Sequence, residues 1–422
     1  MARKAEPAGL ALRVAAAGRL AEVMAGSRFV PYGAGEIADS RDRALANRLV
    51  TTALRRRGHI DKIIGELLER GLPKKSGQFE AILRIALGQL VYLPDLGAHS
   101  AIFLAVEALK RDPKGQHLRG LLNAVLRHAQ SNAARYWSLD EDLLIPERYR
   151  RPGAAEALLA GAPLDLTLRD DDLELIDALG ATRVMADTVR IDLRDRPVEA
   201  MPGYADGRWW AQDAAAAIPA RLIDVAAGSS VIDLCAAPGG KTAQLVKAGY
   251  GVTAVDSDAD RLRRLEGNLE RLGFRANAVL GDAATFRAIA PADAILLDAP
   301  CTATGTFRRH PEVLWRQAES GLKTLVAQQR KMIANAAENL KPGGVLVYSV
   351  CSLEAAEGED QTAWIGATLP QLEPFPVTAF HDMPEALSPE GHIRTWPGMT
   401  APGTAGGTLD GFFVARFRRR AQ

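Results

Sequence analysis

Four short apolar runs between residues 230 and 300 each end on a single aspartate. They are Val231-Ile232-Asp233, Val252-Thr253-Ala254-Val255-Asp256, Ala278-Val279-Leu280-Gly281-Asp282 and Ala294-Ile295-Leu296-Leu297-Asp298. Runs this short and this rich in Val, Ile and Leu read as buried strands. Helical stretches separate the first three. Val345-Leu346-Val347-Tyr348 adds another strand and residues 412–417 a late one. Such alternation predicts a doubly wound, mostly parallel α/β sheet of Rossmann-like plan. Ligands of that architecture bind beyond the C-terminal ends of the strands, where the aspartates are expected. One strand-end aspartate is an ordinary turn residue. Four in register argue for a ligand.

The 422-residue chain has room for two or three domains. A hydrophobic content of 47% and a charged content of 24% leave room for a core and argue against disorder. No apolar run approaches the roughly 18 residues of a membrane helix. Residues 1–20 are Ala-rich, but Arg13 and Arg19 interrupt them, which predicts a helix or tail and not a signal peptide. A cytoplasmic protein that does not bind membranes is expected.

Upstream of the sheet the rhythm differs. Leu45, Leu49, Val50, Ala53 and Leu54 share one helical face. So do Ile60, Ile63, Ile64, Leu67 and Leu68, and Ile82, Ile85, Ala86, Gln89 and Leu90 with one polar member. Ser100 is predicted as an N-cap, residues 111–115 as a loop, and residues 118–128 as a further amphipathic helix. Residues 1–135 are therefore expected to form an all-α bundle. Residues 136–207 hold strand-like pieces at 164–168 and 189–193 around a helix-like stretch at 171–179, predicting a small α+β connecting element. The sheet domain then spans residues 208–422. Net charge is only +1. Yet residues 1–135 carry 22 basic against 12 acidic groups, a net +10, while the remainder carries 30 against 39, a net −9. A basic front half suits a polyanion, although a solvated surface would look the same.

The first strand runs into Asp233-Leu234-Cys235-Ala236-Ala237-Pro238-Gly239-Gly240-Lys241-Thr242. Small residues and glycines let backbone approach a ligand ahead of a helix N-terminus. A phosphate-binding loop would need a glycine where Cys235 stands, and a dinucleotide fold needs a different glycine pattern. S-adenosylmethionine fits better. Asp256 can accept both ribose hydroxyl hydrogens, Asp282 lies where adenine belongs, and Asp298 stands beside the reactive methyl. Carboxylates near a sulfonium are favourable electrostatics.

The chain has three cysteines, Cys235, Cys301 and Cys351. Without close Cys or His partners they make a poor zinc site, so no metal is expected. Cys301 follows the fourth strand and Cys351 the fifth. A free cysteine is usually a buried structural thiol, but two at adjacent strand ends suggest chemistry. Carbon 5 of cytosine is a poor nucleophile. A thiolate added to carbon 6 makes carbon 5 able to attack a methyl sulfonium, dividing one hard step into easier ones. Asp298, if protonated, could hold the ring's nitrogen edge. A second thiol could assist release after the carbon-5 proton leaves. The base must first be taken out of any stack. This chemistry leaves open which thiol attacks.

Asp233 to Thr242, Asp298-Ala299-Pro300-Cys301-Thr302-Ala303-Thr304-Gly305-Thr306-Phe307-Arg308-Arg309-His310-Pro311-Glu312, and Tyr348-Ser349-Val350-Cys351-Ser352 with Glu357 resemble the RsmB/Sun family of RNA cytosine-5 methyltransferases. Asp410-Gly411-Phe412-Phe413-Val414-Ala415 is similar to its last strand. The resemblance implies Cys351 as nucleophile, Cys301 in product release and Asp298 in catalysis. It implies S-adenosylmethionine bound by Cys235, Ala236, Ala237, Pro238, Gly239, Gly240, Lys241, Asp256, Asp282 and Asp298. The family usually has Thr where Val350 stands. Residues 42–50, 83–90 and 120–127 resemble the RNA-binding NusB-like helical domain. Together these imply an enzyme acting on RNA, ribosomal before transfer RNA; a monomer is expected, and a catalytically idle RNA-binding assembly factor is the rival. Arg308, Arg309 and His310 are expected either on RNA phosphate or in a solvated or core-paired basic cluster.

Overall fold

The computed structural model describes residues 7–191, 197–316 and 319–421. Contacts divide the chain into a helical unit, Met1–Arg150 with His310–Arg316, and a second unit, Arg151–Arg309 with Gln317–Gln422.

The helical unit contains α1 (Leu10–Met24), α2 (Ser40–Arg55), α3 (Arg57–Leu67), α4 (Phe79–Tyr92), α5 (Ala98–Lys110), α6 (Arg119–Ser131) and α7 (Ala133–Trp137). Asp39 caps α2, its carboxylate accepting from the Arg41 and Asp42 amides. α4 is the centre, with every residue but Glu80 buried. The apolar faces read from sequence meet around it: Leu49, Val50 and Leu54 of α2, Ile60 and Ile63 of α3, Leu122 and Leu126 of α6. Ser100 is not an N-cap. α5 starts at Ala98 after Gly97, whose φ of 76° turns the chain, so Ser100 lies inside the first turn. Residues 136–150, read above as part of the connecting segment, belong to this unit by contact, with Leu144, Ile145 and Tyr149 buried.

Gly58 of α3 makes that possible. A Cβ there would stand 1.7 Å from the Leu143 carbonyl oxygen, and His59 Nε2 lies 3.0 Å from the Asp140 carbonyl. Gly58→Ala is expected to destabilise the protein by about 1–3 kcal/mol, because overpacking must push backbone aside. Denaturant unfolding checks this; an unchanged midpoint would show that the segment yields freely.

The second unit opens with α8 (Ala154–Ala160), β1 (Leu164–Leu168), α9 (Leu173–Leu179), β2 (Thr182–Met185), β3 (Thr188–Ile191) and β4 (Trp209–Ala211). β2-β3-β1-β4 form an antiparallel sheet over Leu175, Leu179 and Trp209. This is the connecting α+β element. Asp192 and Leu193, read as strand, lie outside the described residues, as do residues 1–6 of the Ala-rich start.

The large sheet follows: α10 (Ile218–Arg221), β5 (Ser230–Leu234), α11 (Gly240–Lys247), β6 (Gly251–Asp256), α12 (Ala259–Leu272), β7 (Asn277–Leu280), β8 (Ala292–Asp298), α13 (Glu319–Glu338), β9 (Leu340–Val350), α14 (Glu359–Thr368), β10 (Leu372–Pro374), β11 (Ile393–Arg394) and β12 (Phe413–Arg419). Strand order is β10-β12-β9-β8-β5-β6-β7, with β11 beside β12. β5 pairs in parallel with both β6 and β8, and β8 with β9; β12 runs antiparallel to β9. The chain winds outward from β5 to β7, then returns to β8 on the other side. That reversal opens the crevice between β5 and β8 at their C-terminal ends. Among the described residues no helix is long and apolar enough to cross a membrane.

Candidate active site

The loop from β5 to α11 bends at Cys235, a non-glycine residue with φ of 62°, and at Gly239 with φ of 102°. A side chain in the left-handed region is uncommon and marks a backbone held by its surroundings. The Ala236 amide donates to the Val255 carbonyl at 3.0 Å, and the Ala237 amide to Asp256 Oδ2 at 3.0 Å. Asp256 ends β6 almost fully buried, and its other oxygen accepts from the Asp258 amide. Asp282 follows β7 as an exposed turn-former, accepting from the Ala284 amide. Cys235, Asp256, Asp282, Asp298 and Pro300 line one cavity of about 230 Å³. Cys235 and the three aspartates therefore converge on one cavity, while Ala236 to Lys241 line a neighbouring one that Asp298 also reaches.

Asp233 differs. It precedes Leu234 inside β5, fully buried, and its Oδ2 accepts from Thr242 Oγ1 at 2.6 Å. It ties strand to helix and does not stand at the strand end. Burial pushes its carboxyl up to about 7, and Oδ1 lacks a hydrogen-bond partner among the described residues. A carboxyl raised on folding binds its proton more tightly in the native state. Its contribution is full below the unfolded value and is lost as pH rises toward 7. The stability of the wild type minus that of Asp233→Asn is therefore expected to fall between about pH 4 and 7 by a few kcal/mol, at up to about 1.4 kcal/mol per pH unit. Urea unfolding across that range checks it; a flat difference would contradict it. Cys235 sits among the same carboxylates. Burial, then Asp298, Asp256 and Asp233, push its thiol up to about 12, a poor setting for a nucleophile.

Asp298 ends β8 and lines both this cavity and a second of about 370 Å³ that also reaches Gln212, Gly240 and Lys241. Its Oδ2 accepts from Lys241 Nζ at 2.8 Å and its Oδ1 from Ser349 Oγ at 2.9 Å. Burial draws the Lys241 ammonium down, but the charge and hydrogen bond of Asp298 outweigh it and hold the group above its usual value. That ammonium also lies 5.3 Å from the Phe412 ring centroid, within cation–π range.

β8 and β9 pair in parallel with Asp298 opposite Ser349, and both chains then turn at the sheet edge. The turns bring Cys301 Sγ to 3.5 Å from Cys351 Sγ. The hydrogen bond to Cys351, burial and the charge of Cys351 all push the Cys301 thiol well up. Gly305 holds the Cys301 loop close: its amide donates to the Cys351 carbonyl, and its carbonyl accepts from the Gly411 amide at 2.8 Å. A Cβ at Gly305 would lie 2.0 Å from the Gly411 oxygen. Val350, where the family usually has threonine, is fully buried in the apolar core opposite Phe413.

Residues 220–418 match the family described as 16S rRNA methyltransferase RsmB/F, and residues 25–131 match the NusB family. The ribosomal RNA small subunit methyltransferase B of Xanthomonas campestris is 34% identical over 86% of this chain and 89% of its own. The chain belongs to the RsmB/F methyltransferase family. The methyltransferase B of Cronobacter sakazakii is 32% identical, covering 90% of this chain and 91% of its own. A methyltransferase homologue from Pyrococcus horikoshii has a solved structure with 26% identity and a TM-score of 0.52, over 71% of this chain and 99% of that one. The cofactor of this RsmB/F-family methyltransferase is S-adenosylmethionine. The residues present fit it: three aspartates face one cavity, as a sulfonium cation favours, and the first-strand loop is built of small residues.

Other expected members of the RsmB/F site fall elsewhere. Arg308 is fully buried. It donates to Asp410 Oδ1 at 2.9 Å, Asp213 Oδ2 at 2.7 Å and the Thr408 carbonyl at 2.7 Å. Arg309 donates to the same two aspartates. Arg308 is therefore a structural tie and not a phosphate contact, while His310 belongs to the helical unit near Arg28 and Glu312. Sequence reasoning missed Asp213 as a partner and the Lys241–Asp298 pair. Lys241 was assigned to the cofactor loop without its partner, and nothing local to Asp213 marks its role.

Proposed function

We propose that this protein methylates carbon 5 of a cytosine in RNA, small-subunit ribosomal RNA before transfer RNA, through a covalent adduct on Cys351. The observation that carries this reading is the pair of thiols 3.5 Å apart beside the Lys241–Asp298 pair. S-adenosylmethionine supplies an electrophilic methyl group when bound; residues 235–241 with Asp256, Asp282 and Asp298 would hold it. Lys241 presents a donor and Asp298 an acceptor to the ring's polar edge. The Cys351 thiolate forms a bond to carbon 6, and the ring's 5,6 electron pair becomes available at carbon 5.

After methyl transfer the hydrogen on carbon 5 must leave. While Cys351 is free, its hydrogen bond is the largest influence keeping the Cys301 proton on. Once the Cys351 sulfur is bonded to carbon 6, that influence is gone. Cys301, its own proton passed to solvent, is placed 3.5 Å from the Cys351 sulfur to take the one on carbon 5. The C–S bond breaks, its electron pair returns to Cys351, and the 5,6 double bond re-forms. One proton is released in total. The basic helical unit supplies the polyanion surface.

The test is incubation with S-adenosylmethionine carrying a labelled methyl group, in separate arms with small-subunit ribosomal RNA and with transfer RNA, followed by digestion to nucleosides. Label is expected in 5-methylcytidine from the ribosomal arm. Label only from transfer RNA favours the runner-up. Cofactor binding without label in either arm would indicate an idle assembly factor.

A further inference from the structure

Glu357 stands outside the cysteine turns, six residues beyond Cys351, yet it is fully buried. Every hydrogen bond its carboxylate makes in the described structure is to the segment around Cys301 or to α13. Oε1 accepts from the Thr302 amide at 3.1 Å and from Gln329 Nε2 at 2.9 Å. Oε2 accepts from the same amide at 3.2 Å and from Thr302 Oγ1 at 2.6 Å. The same Gln329 Nε2 donates to the Pro300 carbonyl, and Gln361 donates to Gln329 Oε1. A buried carboxylate is costly unless donors surround it. Here the donors are those of the residue after Cys301 and of the glutamine that grips the residue before it.

The Cys351 side is fixed by the same residue. The Glu357 carbonyl accepts from the Tyr348 hydroxyl at 2.7 Å, three residues before the attacking thiol. Glu357 thus joins the strand that carries one cysteine to the turn that carries the other.

We propose that Glu357 is a positioning residue for Cys301: it clamps the 300–302 turn so that the thiol stays in place to resolve the adduct formed by Cys351. This rests on the thiol roles given under Proposed function. First attack by Cys351 does not need the Cys301 turn held this tightly; removal of the carbon-5 proton does.

Glu357→Gln separates the two demands. The amide keeps the size but offers one acceptor, and its NH2 group faces donors. Thr302→Val is the second, milder variant; it removes one donor and leaves the charge. Cofactor binding serves as the check on folding. Single-turnover methyl transfer is expected to stay within about twofold while steady-state turnover falls about tenfold or more, as a small displacement of a reacting group can cost that much. A covalent protein–RNA adduct should accumulate on denaturing gels, as with Cys301→Ala, and to a lesser extent with Thr302→Val. If both rates of Glu357→Gln fall together without adduct, while Thr302→Val behaves as wild type, Glu357 is merely structural and the assignment fails. If Cys301→Ala itself gives no adduct, the thiol roles fail and the assignment falls with them.

Discussion

Cys351→Ala is expected to abolish methyl transfer, by at least about 10⁴-fold, because losing the attacking group of a covalent mechanism leaves only binding and orientation. It should form no covalent adduct with RNA, and S-adenosylmethionine binding should persist, since Cys351 does not line the cofactor cavity. Cys301→Ala should behave oppositely in one respect. The first methyl transfer proceeds, but the adduct remains, because the group that removes the carbon-5 proton is gone. Denaturing electrophoresis of protein with labelled RNA separates the cases. An adduct with Cys351→Ala and none with Cys301→Ala would reverse the two roles.

The second large effect is on stability. Asp410→Ala removes one of two carboxylates that hold the buried Arg308, and Arg309 loses the same partner. Breaking a buried pair by removing one partner leaves charge without compensation and typically costs about 3–5 kcal/mol. Burial raises Asp213, but Arg309 and Arg308 outweigh it and hold its carboxyl below the usual range, so this remaining partner is already committed to both arginines. Chemical denaturation should show the loss, and Arg308→Lys should show much of it, because an ammonium cannot reach three acceptors in a fork. A change below about 1 kcal/mol would mean that the network is solvated in a way its burial does not suggest.

These two sites differ in how visible they were before the fold was known. The strands were legible because each is a short apolar run, and the sheet edge was legible because Asp256 and Asp298 end two of them. The cysteine pair followed from that edge. Asp233 was misplaced by a single residue. Leu234 continues β5, and both faces of this central parallel strand are covered, so Asp233 lies in the interior. Ser100 looked like a cap because Gly97, the residue that starts α5, carries no polar side chain to announce itself.

Arg308 and Glu357 show a different limit. Charged residues in sequence suggest surface, since burial of a charge needs partners. Those partners, Asp213 and Asp410 for one and Thr302 and Gln329 for the other, come from segments distant in the chain. Periodicity cannot report such pairings. The Lys241–Asp298 pair is of the same kind: both residues were assigned to the cofactor site, but the ammonium's place opposite the carboxylate appears only when α11 and β8 are brought together.

The central claim, methylation at carbon 5 of cytosine in RNA, is tested most directly by bisulfite mapping of RNA from cells with and without the gene. 5-Methylcytosine resists the deamination that converts cytosine. The expected result is one or more small-subunit ribosomal RNA cytosines protected in the parent strain, fully converted in the deletion, and protected again on complementation with wild type but not with Cys351→Ala. Identical conversion at every RNA cytosine in both strains would contradict the account.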